Sequence, residues 1–435
     1  MSWKEIYEEK LVSIEEAVKH VESGDHLWIG ASCDIPLQMV EALCQRKDEL
    51  KDVLLVDAMA LAPMSHFKGE FKGHLNGASI FGGPIERKFA HEGNVSINSV
   101  NFSESSRALR DVYKINVLFV EAAEPDENGD MYFGPMGAAW NGAVAQHCDK
   151  VIIQINKNQK GCPGPGNSIN VKDVTAICRF DHPLVELPEA PITEMEKKIA
   201  EYIIPYINNG DTLQIGVGGI SNAVAYDLEH HKNLGIYTEM MTDSLVHLCK
   251  AGAVDKDRIT IGFGLGTQAV YDYCTSGEPK MMDVSTVTQP PLVGQIDNFV
   301  SINNCIMVDL TGQVASESIG HRQFSSTGGQ LDFVLGARMS KGGKSFLCLR
   351  SASKDKEGNL RSSILLNFPP GQAVTTPRSC TMYVVTEYGV ADLFNKSLKE
   401  RAKAMIRIAH PDFREQLLKE AQGVGLIPEG ESYEA

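Results

Sequence analysis

The sequence lacks any apolar run long enough to cross a membrane, and its positive charges are outnumbered by its negative charges. With 41 Lys and Arg against 56 Asp and Glu, the formal net charge of −15 argues against nucleic acid or an anionic membrane as a partner. Met1–Lys10 does not have the pattern of a signal peptide. We therefore expect a cytoplasmic protein.

Motifs of several catalytic classes are also missing. The ten cysteines stand singly, without a C-x-x-C pair, so we expect reduced thiols and no structural zinc. No H-E-x-x-H occurs among the histidines, and the sequence predicts no metal site. No G-x-S-x-G motif is present, which argues against a serine hydrolase.

What the sequence does contain is typical of a globular enzyme with two domains. Its 435 residues exceed the size of a single core, and its hydrophobic fraction of 43% is ordinary. Pro183–Pro191 has the composition of a linker, and Thr193–Glu196 then opens the second half like a capping box. We predict an N-terminal domain over residues 1–187 and a C-terminal domain over 192–435.

Both halves alternate strand-like apolar runs with helical periodicity, which predicts an open α/β fold with mostly parallel sheets. The two halves also echo each other, which indicates an internal duplication. Three pairs of segments carry this echo: Gly24–Gly30 with Gly210–Gly216, Lys51–Asp57 with Lys232–Thr238, and Asn116–Glu121 with Asn304–Asp309.

The strongest functional pattern lies in the second half, where a strand, a glycine loop and a helix precede a strand that ends near Glu239. Gly216, Gly218 and Gly219 let the backbone approach a ligand closely, and the following helix start suits an anion. A carboxylate near the end of the neighbouring parallel strand faces the same crevice. We therefore place the chemistry mainly in the second half.

Two chemistries fit this pattern. In the first, the acid binds the ribose of a dinucleotide such as NAD, although Ser221 occupies the position where that motif has Gly or Ala. In the second, Glu239 is a nucleophile toward an acyl group.

Longer motifs decide between these readings. With the glycine loop and Glu239, the segments Ser318–Phe333 and Val385–Asp392 resemble the acetyl-CoA hydrolase/transferase family. The resemblance runs from Trp3–Tyr7 to Ile408–Phe413, and the 4-hydroxybutyrate and butyryl-CoA:acetate CoA-transferases are its nearest branch. It implies two domains of the CoA-transferase fold. It also implies ping-pong transfer of CoA between an acyl-CoA and a carboxylate such as acetate, through a glutamyl-CoA thioester on Glu239.

The resemblance also implies the remaining partners of the site. Coenzyme A is expected as a substrate, with no permanently bound cofactor, and the chain as a homodimer or higher homo-oligomer. Gly264, Gly266 and Thr267 follow a strand at the same sheet edge, and we expect them where acyl and carboxylate groups meet. The expected CoA-binding residues are Gly216, Val217, Gly218, Gly219, Ile220, Ile306, Gly329 and Lys354.

Several alternatives stay open at this point. Glu387 repeats the Thr-Glu pair without a glycine loop before it, and we interpret it as structural, with Asp243 as a helix N-cap. An acyl-CoA hydrolase could use the same site. Ser244 and Gly137–Asn141 depart from the usual family residues near the expected acyl pocket, so a small dicarboxylate such as itaconate or succinate is a further alternative.

Overall fold

Residues 1–434 are described by a computed structural model, in which each half of the chain forms one large sheet. The first sheet has seven parallel strands in the order β4-β3-β2-β1-β5-β6-β7. Its central strands are buried along almost their whole length, which explains their continuous apolar runs. The strands are β1 (His26–Ala31), β2 (Val53–Ala58), β3 (Leu75–Ser79), β4 (Val95–Ile97), β5 (Val117–Ala122), β6 (Lys150–Ile155) and β7 (Ala176–Arg179).

The second sheet repeats this order and adds one antiparallel strand at its edge. The order is β11-β10-β9-β8-β12-β13-β14-β15, and only the β14–β15 pair is antiparallel. The strands are β8 (Thr212–Ile215), β9 (Leu234–Met241), β10 (Val254–Gly264), β11 (Lys280–Met281), β12 (Phe299–Asn304), β13 (Lys344–Cys348), β14 (Tyr383–Thr386) and β15 (Gly389–Asp392). The predicted fold class, two similar and mostly parallel α/β sheets, is confirmed.

Helices cover the faces of both sheets. In the first half the α-helices are Trp3–Lys10, Ile14–Ala17, Leu37–Cys44, Pro84–Phe89, Phe102–Arg107 and Asn141–Ala145. In the second half they are Glu194–Ile203, Gly219–Asp227, Asp243–Lys250, Gln268–Cys274, Val284–Val287, Pro290–Val293, Gln330–Met339, Leu398–Arg407 and Pro411–Gly423. The predicted capping box is present, because Thr193 and Glu196 exchange side-chain to backbone hydrogen bonds.

Short elements complete the chain. Single-turn 3₁₀ segments are Val18–His20, Ser32–Asp34, Ser65–Phe67, Gly69–Phe71, Ala90–Glu92, Gly137–Ala139, Val171–Asp173 and Ile204–Tyr206, and Ala108–Val112 is a π turn. Small ribbons pair Asp130–Tyr132 with Ser168–Asn170, Met307–Asp309 with Val314–Ala315 and Ile364–Leu365, Ser318–Ile319 with Arg322–Gln323, and Ala352–Lys354 with Leu360–Ser362.

The strand registers confirm two of the three predicted echoes and correct the third. Leu27 pairs with Val117 as Leu213 pairs with Val300, so β5 corresponds to β12 and not to Asn304–Asp309. Polar residues explain the error, because Ser301 and Asn303 interrupt the apolar run of β12. Both are buried, and their side chains hydrogen-bond to Gln214 on the neighbouring strand.

Hydrogen bonds hold the segment between the halves against the second half of the chain. Residues 180–193 form no helix or strand, yet Tyr271 donates a hydrogen bond to the Val185 carbonyl and Leu187 donates one to the Gly266 carbonyl. Phe263 packs in the same apolar cluster as residues of the first half. The halves therefore share a core, and the carboxyl ends of their sheets meet there.

Candidate active site

The glycine loop between β8 and the helix Gly219–Asp227 has the close backbone packing that its sequence predicts. Gly218 has φ +129°, a conformation that side chains of L-residues rarely adopt. A Cβ atom at Gly218 would overlap the Asn304 side chain, whose Nδ2 donates to the Val217 carbonyl at 2.7 Å. Asn304 thus supports the loop from the end of β12, and Val217 is left 58% exposed.

Glu239 lies on β9, beside the loop and against the backbone of Gly329. A Cβ atom at Gly329 would overlap Oε2 of Glu239, so the carboxylate could keep its position only with glycine there. The residue is partly exposed, but its Oε2 is buried and has no well-formed hydrogen bond within residues 1–434. Burial raises the pKa of Glu239 to about 8 and the charge of Asp332 adds to this rise, while the Gly329 N–H opposes it.

Asp332 lies in the helix that Gly329 caps, and the first half of the chain holds it. Ser103 donates to its carboxylate through the backbone N–H at 3.0 Å and through Oγ at 2.7 Å. Burial raises the pKa of Asp332 to about 6, although these two hydrogen bonds act in the opposite direction. A group of shifted carboxyls in a cleft is typical of a functional site.

Glu239 opens into a cavity of about 50 Å³ that both halves enclose. By comparison, a cavity of about 150 Å³ holds a benzene ring, so this one has room for only a small part of a ligand. Apart from Glu239, its walls are apolar. They consist of Ala58, Met59, Phe81, Phe102, Met136 and Trp140 from the first half and Val217, Met240 and Phe263 from the second.

Buried carboxyl groups of the first half hold the loops that carry these walls. Glu86 accepts hydrogen bonds from the backbone N–H groups of Ala60 at 2.7 Å and Gly83 at 2.9 Å. Ala60 directly follows the cavity residue Met59, and Gly83 lies two residues after Phe81. Asp34 accepts one from the N–H of Gly137, which lies between Met136 and Trp140. The cavity shape therefore depends on polar residues that do not touch it.

A second, more open groove lies on the other side of the glycine loop. Its volume is about 260 Å³, and Arg350 at its edge pairs with Glu196 at 2.8 Å. The lining residues are Glu196, Gly219, Ile220, Asn304, Cys305, Ile306, Cys348, Leu349, Arg350, Ser353 and Ser363. Val217 faces the small cavity while Gly219 and Ile220 face this groove, so the loop separates the two spaces.

The structure brings five of the twelve predicted site residues to these two spaces and a sixth into contact with Glu239. Gly219, Ile220 and Ile306 line the groove, Val217 and Glu239 line the cavity, and Gly329 touches the carboxylate itself. Gly216 lies at the start of the loop, where its N–H donates to the Ile302 carbonyl. Lys354 is exposed on a ribbon and is not among the groove residues, whereas its neighbour Ser353 is.

Three predicted residues have other neighbours. Gly264 donates its N–H to the Pro135 carbonyl, and Gly266 packs against Asp243 and Val270. Thr267 donates hydrogen bonds from its backbone N–H and its Oγ1 to Asp243. None of the three is among the cavity residues, and Phe263 from the same segment is the wall.

The two other acidic residues that the sequence analysis considered, Asp243 and Glu387, have structural partners. Glu387 is buried and accepts hydrogen bonds from the backbone N–H and Oγ of Ser351. The N-cap of the helix Asp243–Lys250 is Thr242, one residue before the predicted Asp243. The backbone N–H of Ser244 donates to Glu189, and Ser244 is not among the cavity residues.

Sequence reasoning did not find most of the cavity walls. Trp140 lies in a segment suspected of bordering the pocket, but the loop residues Phe81 and Met136 and the first residue of a helix, Phe102, belong to no local pattern. Within residues 1–434, no group of acidic, histidine and cysteine side chains is arranged to hold a metal ion, and no helix is long and apolar enough to span a membrane.

The two mostly parallel α/β sheets have the fold of a solved CoA-transferase. The Acetyl-CoA hydrolase/transferase N-terminal domain matches residues 1–186, and the C-terminal domain of the same family matches residues 266–421. The chain belongs to the acetyl-CoA hydrolase/transferase family, and the prediction made from its motifs is confirmed.

Relatives match over nearly the whole chain. A butyryl-CoA:acetate CoA-transferase of Anaerostipes caccae is 38% identical, over 97% of this chain and 98% of its own length. A 4-hydroxybutyrate coenzyme A transferase of Clostridium kluyveri is 37% identical, over 97% of this chain and 99% of its own.

Solved structures agree with the fold. The crystal structure of RipA from Yersinia pestis superposes with a TM-score of 0.91 at 31% identity, covering 98% of this chain and all of the other. The 4-hydroxybutyrate CoA-transferase of Porphyromonas gingivalis gives a TM-score of 0.81 at 28% identity, covering 97% of this chain and 100% of its own.

Proposed function

We propose that this protein is a CoA-transferase that moves CoA between a short-chain acyl-CoA and a carboxylate acceptor such as acetate. One observation carries the proposal: Glu239 is the only ionisable group in an apolar cavity closed by both halves, and it adjoins the glycine loop. The names of the whole-length relatives, which are CoA-transferases for butyryl and 4-hydroxybutyrate groups, support it.

The chemistry follows from a carboxylate nucleophile. Glu239 attacks the thioester carbonyl, the carbon–sulfur bond breaks, and an acyl-glutamyl anhydride and CoA thiolate form. The thiolate then attacks the glutamyl carbonyl, the carboxylic acid leaves as its carboxylate, and a glutamyl-CoA thioester remains. The acceptor carboxylate reverses both steps, so one thioester replaces another and no ATP is needed.

Water must be kept from the glutamyl thioester, since its hydrolysis would turn the transferase into a hydrolase. The aromatic walls Phe102, Trp140 and Phe263, which contact one another with ring centroids 5.7–6.2 Å apart, serve this purpose.

The backbone N–H groups of Gly218 to Ile220 and of Gly329 are the candidate donors to the developing oxyanions. Such a donor is typically worth about 3–4 kcal/mol.

The cavity favours an acyl group that is short and apolar. A second carboxylate, as in succinate or itaconate, would be buried among Met59, Phe81 and Met136 without a cationic partner, which is costly. The small volume suits a short acyl chain. We therefore propose a short apolar acyl group such as butyryl over a dicarboxylate.

A panel of acyl-CoA donors with and without acetate tests the proposal, with each CoA product identified by mass spectrometry. A transferase forms acetyl-CoA, shows ping-pong kinetics and turns over little without an acceptor. Release of free CoA at the same rate without acetate would identify a hydrolase instead. Preference for succinyl-CoA over butyryl-CoA would refute the proposed acyl class.

We keep the homodimer, the cytoplasmic location and the domain limits at 187 and 192 as predictions. Coenzyme A enters this scheme as a substrate that leaves in each cycle.

A further inference from the structure

Arg350 is the cationic side chain of the open groove beside the glycine loop. It follows β13 and reaches the same groove as Gly219 and Ile306, which are expected to contact CoA. Its guanidinium is bound at 2.8 Å to Glu196, and its side chain stays 47% exposed. The groove has a volume of about 260 Å³, so an anion much larger than a water molecule can reach the guanidinium at its edge.

We propose that Arg350 binds a phosphate group of coenzyme A and that Glu196 is the internal counter-ion which the phosphate displaces. The proposal rests on the proposed function, since it assumes that CoA occupies this groove. Arginine matches phosphate geometry through paired N–H donors, which a flexible lysine does not. Lys354, the cation suggested by resemblance, is exposed outside the groove residues.

The position of Glu196 explains why the pair can separate. The residue belongs to the capping box of the helix Glu194–Ile203, where one of its oxygens accepts from Thr193. Its carboxylate lies directly against Gly219, at a place where any Cβ would overlap it. Glu196 therefore remains bound to its helix when Arg350 turns toward a ligand, and the carboxylate stays at the groove as a competing anion.

Calorimetric titration of the full-length protein with CoA, 3′-dephospho-CoA and pantetheine tests the assignment. Arg350→Gln should weaken CoA binding about three- to tenfold, the range expected for a partly exposed charged contact, and leave pantetheine binding unchanged. Lys356→Gln, at an exposed lysine that is not among the groove residues, is the matched control and should bind CoA like the wild type. An effect that disappears with dephospho-CoA assigns the 3′-phosphate, and one that persists assigns the diphosphate.

Unchanged CoA binding by Arg350→Gln, or an equal loss for pantetheine, would overturn this inference while leaving the transferase intact. Failure of the wild type to bind CoA at all would refute the proposed function itself. Glu196→Gln preserves the capping box, because glutamine also fills that position. It should tighten CoA binding a few-fold, and by clearly less in the Arg350→Gln background, where no ion pair has to be displaced. An equal gain in both backgrounds, or no gain, would overturn the displacement.

Discussion

The two halves of this molecule have the same strand order, apart from the extra edge strand of the second sheet. The difference that bears on the cavity lies at one aligned position of their second strands, β2 and β9. Leu27 pairs with Leu55 and Leu213 pairs with Ile236, which makes Ala58 the counterpart of Glu239 three residues further on. Both residues line the same cavity. One half therefore presents a carboxylate where the other presents a methyl group.

The loops after the first strands differ in the same sense. In the second half Gly218 and Gly219 leave space beside the backbone, and a groove opens there. In the first half the loop forms a 3₁₀ turn, Ser32–Asp34, whose Asp34 side chain is completely buried and accepts from Gly137. A carboxylate of the chain itself fills the first crevice, while the second stays open to a ligand. Under the proposed function, the first half serves as a wall of the cavity and the second is the reactive half.

The sharpest test of this division is Glu239→Gln, which removes the proposed nucleophilic carboxylate and keeps the shape of the side chain. We expect transfer to fall by at least about 10³-fold with the fold intact, as measured by initial rates and thermal melting. Borohydride reduces a glutamyl thioester, so the wild type incubated with acyl-CoA should be inactivated and modified on the peptide that contains Glu239.

Glu387→Gln is the matched control for this test, since Glu387 also follows a Thr at a strand end. Its carboxylate is engaged by Ser351, so the variant should lose some stability and keep most of its transfer rate. Near-normal transfer by Glu239→Gln, or borohydride modification at Glu387, would place the nucleophile elsewhere and end the comparison between the halves.

Gly329→Ala tests whether the reactive half needs the close approach of backbone to carboxylate. The added methyl group would overlap Oε2 of Glu239, and a displacement of about 1 Å can reduce a rate by about 10²-fold. We expect a loss of that size in kcat with CoA binding largely retained. Gly423→Ala, at a helical glycine with no atom within 4 Å of the new methyl group, should be silent. Equal activity of the two variants would contradict this geometry.

Ala58→Val tests the complementary role of the first half. The two extra methyl groups project into a cavity of about 50 Å³ and should disfavour butyryl-CoA relative to acetyl-CoA by about tenfold. Ala60→Val, a buried residue that is not among the cavity residues, controls for general destabilisation and should leave the ratio unchanged. The ratio of kcat/KM for the two donors measures the effect, and a parallel loss for both would show that Ala58 is not a wall.

The sequence predicted the reactive half better than the wall. The glycine loop, the helix start and the acid near the end of the next strand are close in sequence, so a local pattern indicates Glu239. Repeated strand motifs indicate the duplication. The walls Phe81, Phe102 and Trp140 meet Phe263 only after the halves dock, and no spacing encodes such long-range contacts. Arg350 was missed for the same reason, because its partner Glu196 lies far away in the chain.

Two local differences between the sequence analysis and the structure have physical causes of the same kind. The displaced strand assignment arose where buried Ser301 and Asn303 look exposed until Gln214 is seen beside them. Gly264 and Gly266 have the composition of a ligand loop, but their Cβ positions are blocked by Cys274 and Asp243 respectively. A glycine required for internal packing cannot be told from a glycine required by a ligand until its neighbours are known.

The smallest expected effect concerns the charge that the first half helps to hold near Glu239. The pKa of Glu239, about 8, lies above its ordinary value, and only the carboxylate attacks, so kcat/KM for the acyl-CoA should rise with pH through about 8. Asp332→Asn removes the negative charge that contributes to this rise. The variant should therefore reach its plateau at lower pH, by less than about one pH unit, because burial is the larger cause.

Ser103→Ala is the matched variant on the first half. It removes one hydrogen bond that lowers the pKa of Asp332, so Asp332 carries less charge. The rise of kcat/KM that follows the ionisation of Glu239 should therefore also shift to lower pH, by a smaller amount than in Asp332→Asn. Rate profiles between pH 6 and 9.5 at low acyl-CoA concentration measure both shifts. A limb that stays in place in Asp332→Asn would mean that burial alone sets the pKa of Glu239. The first half would then act on the nucleophile through the walls of the cavity and not through Asp332.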